Sequence, residues 1–415
     1  MASQSQRSWE KQGVSKWELH DSLDELRELA NSAGAEVVDT VTQKLPKPTA
    51  PYYIGRGKAE SIKESCQDRQ VTSVIFDDEL SPAQGRNLEN LFARKVVDRT
   101  QLILDIFAQR ARSREGRLQI ELAQLQYLLP RLTRMWHHLS RQTGGIGTRG
   151  PGETQLEVDR RRVQERIARL ERELEAVRKT RAIQRQGRKR HQWPVAAVVG
   201  YTNAGKSTLL NLLTGADVVT EDKLFATLDP TTRSFVLPNK QRVLLTDTVG
   251  FLRKLPHTLI ESFKATLEEV READLLIHIV DLSHPRVDEQ MEAVDGVIKE
   301  LDAYGKQTLI VFNKIDNLPN RELADSYVKR FSGSVAISAR TGEGVNKLVQ
   351  ALEDVLSSWR LRSRFRIPSN ETALIAEIHR VGHVLELRYE GNDALIVAHV
   401  PPHLGQKLAD YAARD

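Results

Sequence analysis

An apolar run at 195–199 leads directly into Gly200-Tyr201-Thr202-Asn203-Ala204-Gly205-Lys206-Ser207-Thr208, and this stretch limits the possible fold more sharply than any other. Its spacing is G-x-x-x-x-G-K-[ST], the pattern of a phosphate-binding loop set between a buried strand and a helix. The glycines let backbone N–H groups approach phosphate oxygens. Lys206 reaches the β and γ phosphates, and Ser207 is a hydroxyl ligand for Mg²⁺ at the start of a helix expected over 208–213. The implied architecture is a mainly parallel sheet with helices on both faces, binding a nucleotide at the end of its central strand.

Three further motifs follow, each behind its own apolar strand. After 243–245 comes Asp247-Thr248-Val249-Gly250, where an aspartate meets Mg²⁺ through water and a glycine N–H meets the γ phosphate. After 309–312 comes Asn313-Lys314-Ile315-Asp316, whose final carboxylate can accept hydrogen bonds from N1–H and the exocyclic amine of guanine. Adenine presents an acceptor at the equivalent ring position and is disfavoured. After 335–337, Ser338-Ala339-Arg340 supplies a backbone contact to the base. Each motif is weak evidence alone, but their order is that of translational and signalling GTPases. GTP and GDP are therefore the expected ligands, and Lys206, Asp247 and Gly250 the expected catalytic groups.

The 415 residues give room for several domains, and 40% apolar content is enough for proper cores. The net charge of +5 is unevenly spread: residues 110–190 hold 21 Lys or Arg against 9 Asp or Glu, a local balance of +12. Within that segment Leu118, Leu122, Leu125, Leu129 and Leu132, and then Val163, Ile167, Leu170, Leu174 and Val177, recur at the four-three spacing of a coiled-coil seam. The pattern predicts an antiparallel helical hairpin whose first helix is kinked at Pro130. Its connecting loop, 144–154, packs five glycines and a proline, with Trp136, His137 and His138 just before it. Glycine backbone approaches a crowded phosphate surface closely and arginine pairs with phosphate or stacks on bases, so Arg141, Gly144, Gly145, Gly147, Arg149 and Gly150 are the expected RNA contacts. The plain alternative is a mobile linker between solvated helix faces.

Upstream, helices at 23–33, 58–69 and 82–92 alternate with strands at 36–41, 73–76 and 95–98, which reads as a small α/β unit. Gly55-Arg56-Gly57-Lys58 reads as a structural turn, because it lacks the phosphate-loop spacing. Downstream, 384–389 and 394–400 read as antiparallel strands of a small α+β appendage. The expected organisation is multidomain α/β: an N-terminal α/β domain (1–112), a basic helical hairpin with a glycine-rich loop (113–190), a phosphate-loop GTPase domain (191–360) and a small α+β C-terminal domain (361–415). The single cysteine, Cys66, cannot close an intrachain disulfide, no run approaches the ~18 apolar residues of a transmembrane helix, and the first 13 residues are polar. A cytoplasmic monomer without a membrane span is expected.

At this point the chain resembles the HflX family of ribosome-associated GTPases over nearly its whole length. The specific carriers are the runs 97–111, 144–156 and 225–232, the last being Phe225-Ala226-Thr227-Leu228-Asp229-Pro230-Thr231-Thr232. The resemblance implies GTP hydrolysis coupled to binding the large ribosomal subunit and its RNA, with the N-terminal domain and hairpin directed at the peptidyl-transferase region and a role in splitting stalled ribosomes under stress. It also implies that Phe225, Ala226, Thr227, Leu228 and Asp229 form the first switch, with Thr227 joining Ser207 on Mg²⁺; the residues alone do not choose among Thr227, Thr231 and Thr232. Family members usually begin with an apolar strand, and only the weak run 14–19 stands there. Phe251 follows Gly250 where many small GTPases carry a water-orienting Gln, so intrinsic hydrolysis is expected to be slow and completed by a partner. Asn203 resembles the phosphate-loop Asn of GTPases that hold K⁺ beside the phosphates. Two other functions compete: a GTP-dependent assembly or RNA-modification factor, and a regulatory GTPase whose basic hairpin docks an anionic membrane. The hairpin lacks a strongly apolar outer face, which weighs against the membrane.

Overall fold

The computed structural model describes residues 2–4, 19–132, 155–190, 193–215, 224–225, 231–254, 269–357, 361–400 and 402–413. They fall into two compact units. The first comprises Met1–Arg178 with Asp222–Asp229 and Lys254–Lys264; the second comprises Lys179–Glu221, Pro230–Arg253 and Ala265–Asp415.

In the first unit, strand β1 (Ala2–Gln4) pairs in parallel with β2 (Thr42–Lys44), and helix α1 (Leu19–Ser32) lies between them in sequence. The strand expected at 36–41 is absent, and the paired residues begin one step later at Thr42. Helix α2 (Arg56–Asp68), β3 (Ser73–Phe76), α3 (Pro82–Phe92) and β4 (Lys95–Asp98) follow the expected alternation, and β3 and β4 are parallel. Ser81 caps α3 through a reciprocal box with Gln84, and Pro82 stands at the first helical turn, where its missing N–H costs nothing. Ile54, Ile62, Cys66, Phe76, Leu88 and Phe92 form the buried core.

Asp98 caps α4 (Arg99–Arg110) by accepting from the Gln101 N–H. Arg99 is buried and pairs with Asp77 at 2.7 Å and with Glu25. Lys254 reaches Asp77 and Asp78, each at 2.7 Å. Burial would raise the pKa of the fully enclosed Asp77, but Lys254 and Arg99 outweigh it and hold the carboxyl well below the usual range.

Helices α5 (Arg114–Leu128) and α6 (Gln155–Arg190) form the expected seam: Leu118, Leu122, Leu170 and Leu174 are buried together, with Leu125, Ile167 and Val177 against them. Arg166 grips Glu121 across the seam through two hydrogen bonds, at 2.7 and 2.9 Å. Pro130 does not kink a continuing helix. Instead α5 ends at Leu128: Leu129 caps it still in right-handed helical geometry, but Pro130 has no N–H to extend the hydrogen-bond ladder, and Leu132 lies beyond the helix. The glycine-rich loop lies outside the described residues, as do Arg141 and the 5–18 segment.

The second unit is built on a six-stranded sheet. Its members are β5 (Val195–Gly200), β6 (Thr232–Val236), β7 (Arg242–Asp247), β8 (Leu275–Asp281), β9 (Thr308–Asn313) and β10 (Val335–Ala336), ordered β10-β9-β8-β5-β7-β6. All neighbours are parallel except the edge strand β6. The interior strands β5 and β8 are apolar almost throughout, as strands covered on both faces must be. Helix α7 (Lys206–Thr214) follows β5; α8 (Val287–Glu300), α9 (Glu322–Arg330) and α10 (Val345–Leu356) complete the α/β layers. The chain then forms a three-stranded antiparallel sheet of β11 (Leu361–Pro368), β12 (His383–Glu390) and β13 (Asp393–Val400), order β11-β13-β12, with α11 (Thr372–Val381) and α12 (Pro402–Lys407). The expected terminal strands are both present. Among the described residues no helix is long and apolar enough to cross a membrane.

Leu170 is fully buried in the hairpin seam. Leu170→Ala is expected to destabilise that seam by about 2–5 kcal/mol through lost burial and the cavity left behind. Hydrogen exchange of α5 and α6 should accelerate accordingly, and unchanged protection would refute a packed seam.

Candidate nucleotide-binding site

The order of the sheet reverses at β5, which lies between β8 and β7, and the phosphate loop leaves the carboxyl end of that strand. Such a switch point opens a crevice at the strand ends. Asn203 takes a left-handed φ of 59° and Gly205 a φ of 95°. A Cβ at Gly205 would lie 2.2 Å from Asn313 Nδ2, so both conformation and space require glycine there. The Asn313 amide donates to the Ala204 carbonyl at 2.8 Å, and its oxygen accepts the Ala339 N–H at 2.9 Å. One buried side chain thus ties together the phosphate loop, the end of β9 and the Ser338 segment.

At the phosphate end Lys206 is 6% exposed and donates to the carbonyls of Gly200 and Tyr201, at 3.2 and 2.8 Å. Burial lowers its pKa to about 8, with Asp247 opposing and the nearby Lys314 adding to the shift. Ser207 Oγ donates to Asp247 Oδ2 at 2.8 Å, so the two oxygens assigned to one cation from sequence are adjacent. Thr248 donates its hydroxyl to the Val198 carbonyl at 2.7 Å and, like Val249, is buried.

The D-x-x-G segment is sewn onto the phosphate loop. Thr202 N–H donates to the Phe251 carbonyl at 2.8 Å, Phe251 N–H to the Gly200 carbonyl at 3.0 Å, and Arg253 N–H to the Tyr201 hydroxyl at 3.0 Å. A methyl at Gly250 would meet Lys206 Nζ, Thr202 Cα and Thr202 Cγ2, each at 2.9 Å. Phe251 is 1% exposed. It is enclosed hydrocarbon with nothing to offer a water molecule.

At the base end Asp316 sits in a short 3₁₀ turn after β9 and forms an ion pair with Arg340. Burial would raise its pKa, but hydrogen bonds from Ser338 and its own backbone, with Arg340, lower it below the ordinary value, so it is ionised at neutral pH. Arg340 also donates to Asn317 at 3.2 Å. Lys314, in left-handed geometry, pairs with Asp281 at 2.7 Å. Ile315 is buried and donates its N–H to the Ile337 carbonyl. The structure therefore brings Gly200–Lys206, Ser207 and Thr208, the Asp247–Gly250 segment, Asn313–Asp316 and Ser338–Arg340 to the same edge of one sheet.

Phe225 is described and buried, whereas Ala226, Thr227, Leu228 and Asp229 lie outside the described residues, as do Gly144, Gly145, Gly147, Arg149 and Gly150. Sequence reasoning missed three participants: the Asn313 amide as a buttress, Asp281 as the partner of Lys314, and the Tyr201 hydroxyl as an acceptor for Arg253. Asp281 carried a usable signal, an acidic residue ending the apolar run 275–280, as Asp247 ends 243–246. The two backbone-directed contacts had none.

These features define a phosphate-loop GTPase. Three family models cover most of the chain: GTP-binding GTPase N-terminal over 20–108, GTP-binding GTPase Middle Region over 110–188, and 50S ribosome-binding GTPase over 195–314. GTPase HflX of Caldanaerobacter subterraneus subsp. tengcongensis is 48% identical over 96% of this chain and 92% of its own length, and GTPase HflX of Escherichia coli is 48% identical over 87% and 85%. A GTP-binding protein from Sulfolobus solfataricus, solved in complex with GDP, matches 83% of this chain and 97% of its own at 26% identity, with a TM-score of 0.44. The chain belongs to the HflX family of GTPases, and it hydrolyses GTP.

The sequence assigns guanine recognition to Asp316, so Asp316→Asn is expected to shift preference from guanine toward xanthine, because a carboxylate acceptor becomes an amide able to donate to the xanthine oxygen. Loss of hydrogen bonds to a charged group costs on the order of 1.5–3 kcal/mol. GTP affinity within about threefold of the parent, measured alongside XTP, would show that Asp316 does not read the base.

Proposed function

We propose that this GTPase binds the large ribosomal subunit and its RNA, and couples GTP binding and hydrolysis to splitting or rescuing stalled ribosomes under stress. The observation that carries the reading is family membership, with its 50S ribosome-binding GTPase match over 195–314, joined to the +12 balance of residues 110–190. An excess of this size makes a phosphate-rich partner electrostatically favourable. In this reading the four parts proposed from sequence divide the work: 191–360 senses the nucleotide, 1–112 and the hairpin 113–190 face the ribosome, and 361–415 is an accessory domain. Arg141, Arg149 and the glycines at 144, 145, 147 and 150 touch RNA. The protein works as a cytoplasmic monomer.

In the nucleotide site Lys206 holds the β and γ phosphates, the Asp247 segment and Gly250 sense the γ phosphate, Asp316 reads guanine, and residues 225–229 close as the first switch. The Ser207 hydroxyl and the Asp247 carboxylate, 2.8 Å apart, suit a hard oxygen-seeking cation such as Mg²⁺. Ser207 would hold it with Thr227, and Mg²⁺ neutralises charge on the phosphates when bound. The buried, apolar Phe251 leaves the attacking water without a partner from the usual place, which supports slow intrinsic turnover and stimulation by the ribosome. The resemblance of Asn203 to the phosphate-loop Asn of GTPases that hold K⁺ motivates a K⁺ site beside the phosphates. A GTP-dependent assembly or RNA-modification factor is the alternative, and it would act on a precursor rather than a mature subunit.

Co-sedimentation with mature large subunits in GTP, GDP and a non-hydrolysable analogue tests the reading, with nucleotide-dependent binding expected. Deleting 144–152 should leave GTP affinity and basal turnover nearly intact while abolishing stimulation by large subunits; a deletion variant that is still fully stimulated would return the loop to the status of a linker. Basal hydrolysis should be faster in K⁺ than in Na⁺ at equal ionic strength, and Asn203→Ala should erase the difference. Coincident rates for the parent protein would dispose of the K⁺ site.

A further inference from the structure

Ordinary reasoning places the groups that contact a γ phosphate on the main chain of the phosphate loop, its lysine and the D-x-x-G glycine. At Thr202 the main chain is already committed, since its N–H donates to the Phe251 carbonyl at 2.8 Å. Its side chain is not. Thr202 is 6% exposed, and Oγ1 is buried without a hydrogen-bond partner. Buried hydroxyls in native folds are nearly always paired, so an orphan here needs an explanation. Four neighbouring polar side chains have partners: Lys206 holds two carbonyls, Ser207 holds Asp247, Thr248 holds the Val198 carbonyl and Asn313 holds Ala204.

The position of the orphan is informative. A single point, the place of a Cβ on Gly250, lies 2.9 Å from Lys206 Nζ and 2.9 Å from both Thr202 Cα and Thr202 Cγ2. Thr202 Cα and its methyl Cγ2, the Lys206 ammonium and Gly250 therefore pack closely at one place, and Oγ1 shares its Cβ with that methyl. Phe251 sets the need, because it supplies the region only enclosed hydrocarbon.

We propose that Thr202 Oγ1 is a substrate-contacting group of the hydrolytic reaction, donating a hydrogen bond to a γ-phosphoryl oxygen and so distinguishing GTP from GDP. The proposal rests on the reading that Lys206 and Gly250 face the γ phosphate. In the reaction the water oxygen bonds to the γ phosphorus, the bond from phosphorus to the β–γ bridging oxygen breaks, and GDP leaves with that electron pair. The proton lost by water ends on the phosphate product. Thr202 keeps its own proton throughout and contributes a fixed donor beside the charge being transferred.

Thr202→Val keeps the shape and deletes the donor; Thr202→Ser keeps the donor. Thr202→Ala deletes it without adding a methyl, should valine not be accommodated. The full chain would be assayed with GTP, GDP and a slowly hydrolysed GTP analogue. The valine or alanine variant is expected to lose about tenfold or more in kcat/KM and in analogue affinity, the range for a hydrogen bond to a charged group, with GDP affinity within about twofold of the parent. Serine should restore both. Parental kcat/KM and analogue affinity in the valine variant would overturn the proposal, as would equal losses for GDP and analogue that serine does not rescue, since those would mark Thr202 as structural. Lys206→Ala serves as the reference: if it still binds and hydrolyses GTP normally, the site reading itself fails, whereas an inactive Lys206→Ala beside a parental Thr202→Val removes the threonine's role alone.

Discussion

One buried amide ties the phosphate loop to the two segments that follow β9 and β10. A phosphate loop must hold its backbone in geometry that most residues resist, here left-handed at both Asn203 and Gly205, while turning its N–H groups toward a ligand. That leaves a carbonyl facing the protein. Asn313 Nδ2 satisfies it at Ala204, and its oxygen takes the Ala339 N–H. The bond from Asn313 to the phosphate loop spans 109 residues and forms only once β5, β8 and β9 stand side by side. Burial makes it consequential, because an unpaired amide or carbonyl at that depth costs far more than the bond itself contributes.

The charged groups of the site are held in the same economical way. Lys206 rests on two carbonyls, Asp247 on the Ser207 hydroxyl, Asp316 on Arg340, and Lys314 on Asp281. In the proposed reading, each charge has a partner that a nucleotide would replace with phosphate, cation or base. Binding then exchanges one set of polar contacts for another instead of ordering loose side chains, which keeps the entropic cost of closing the site low. Thr202 departs from this scheme, and for that reason its hydroxyl carries information about the substrate.

The first unit follows a different logic. Besides its apolar core it holds a buried ionic cluster: Asp77, fully enclosed, is shared by Arg99, Lys254 and the Ser22 hydroxyl. Two cations and a hydroxyl share that one carboxylate, which offsets the cost of burying its charge. The hairpin is instead held by an apolar seam with one bidentate ion pair, Arg166 on Glu121.

The sequence by itself determined the GTPase class. Four motifs in order, each behind an apolar run, are local patterns, and a buried parallel strand ending in a glycine-rich turn has few other ways to fold. The leucine seam was legible for the same reason, since helical periodicity is written residue by residue. The extent of α5 and the second strand were not: the leucine repeat runs past Pro130 to Leu132 although the helix ends at Leu128, and the strand expected at 36–41 lies instead at Thr42–Lys44, because pairing depends on a partner from elsewhere in the chain. Nor did any local signal mark the Asn313 bridge, the Tyr201 contact with Arg253 or the solitary Thr202 hydroxyl. Hydrogen bonds to backbone atoms leave no side-chain partner to recognise in sequence, and whether a hydroxyl is paired depends on what the completed fold packs around it, which only the tertiary structure decides.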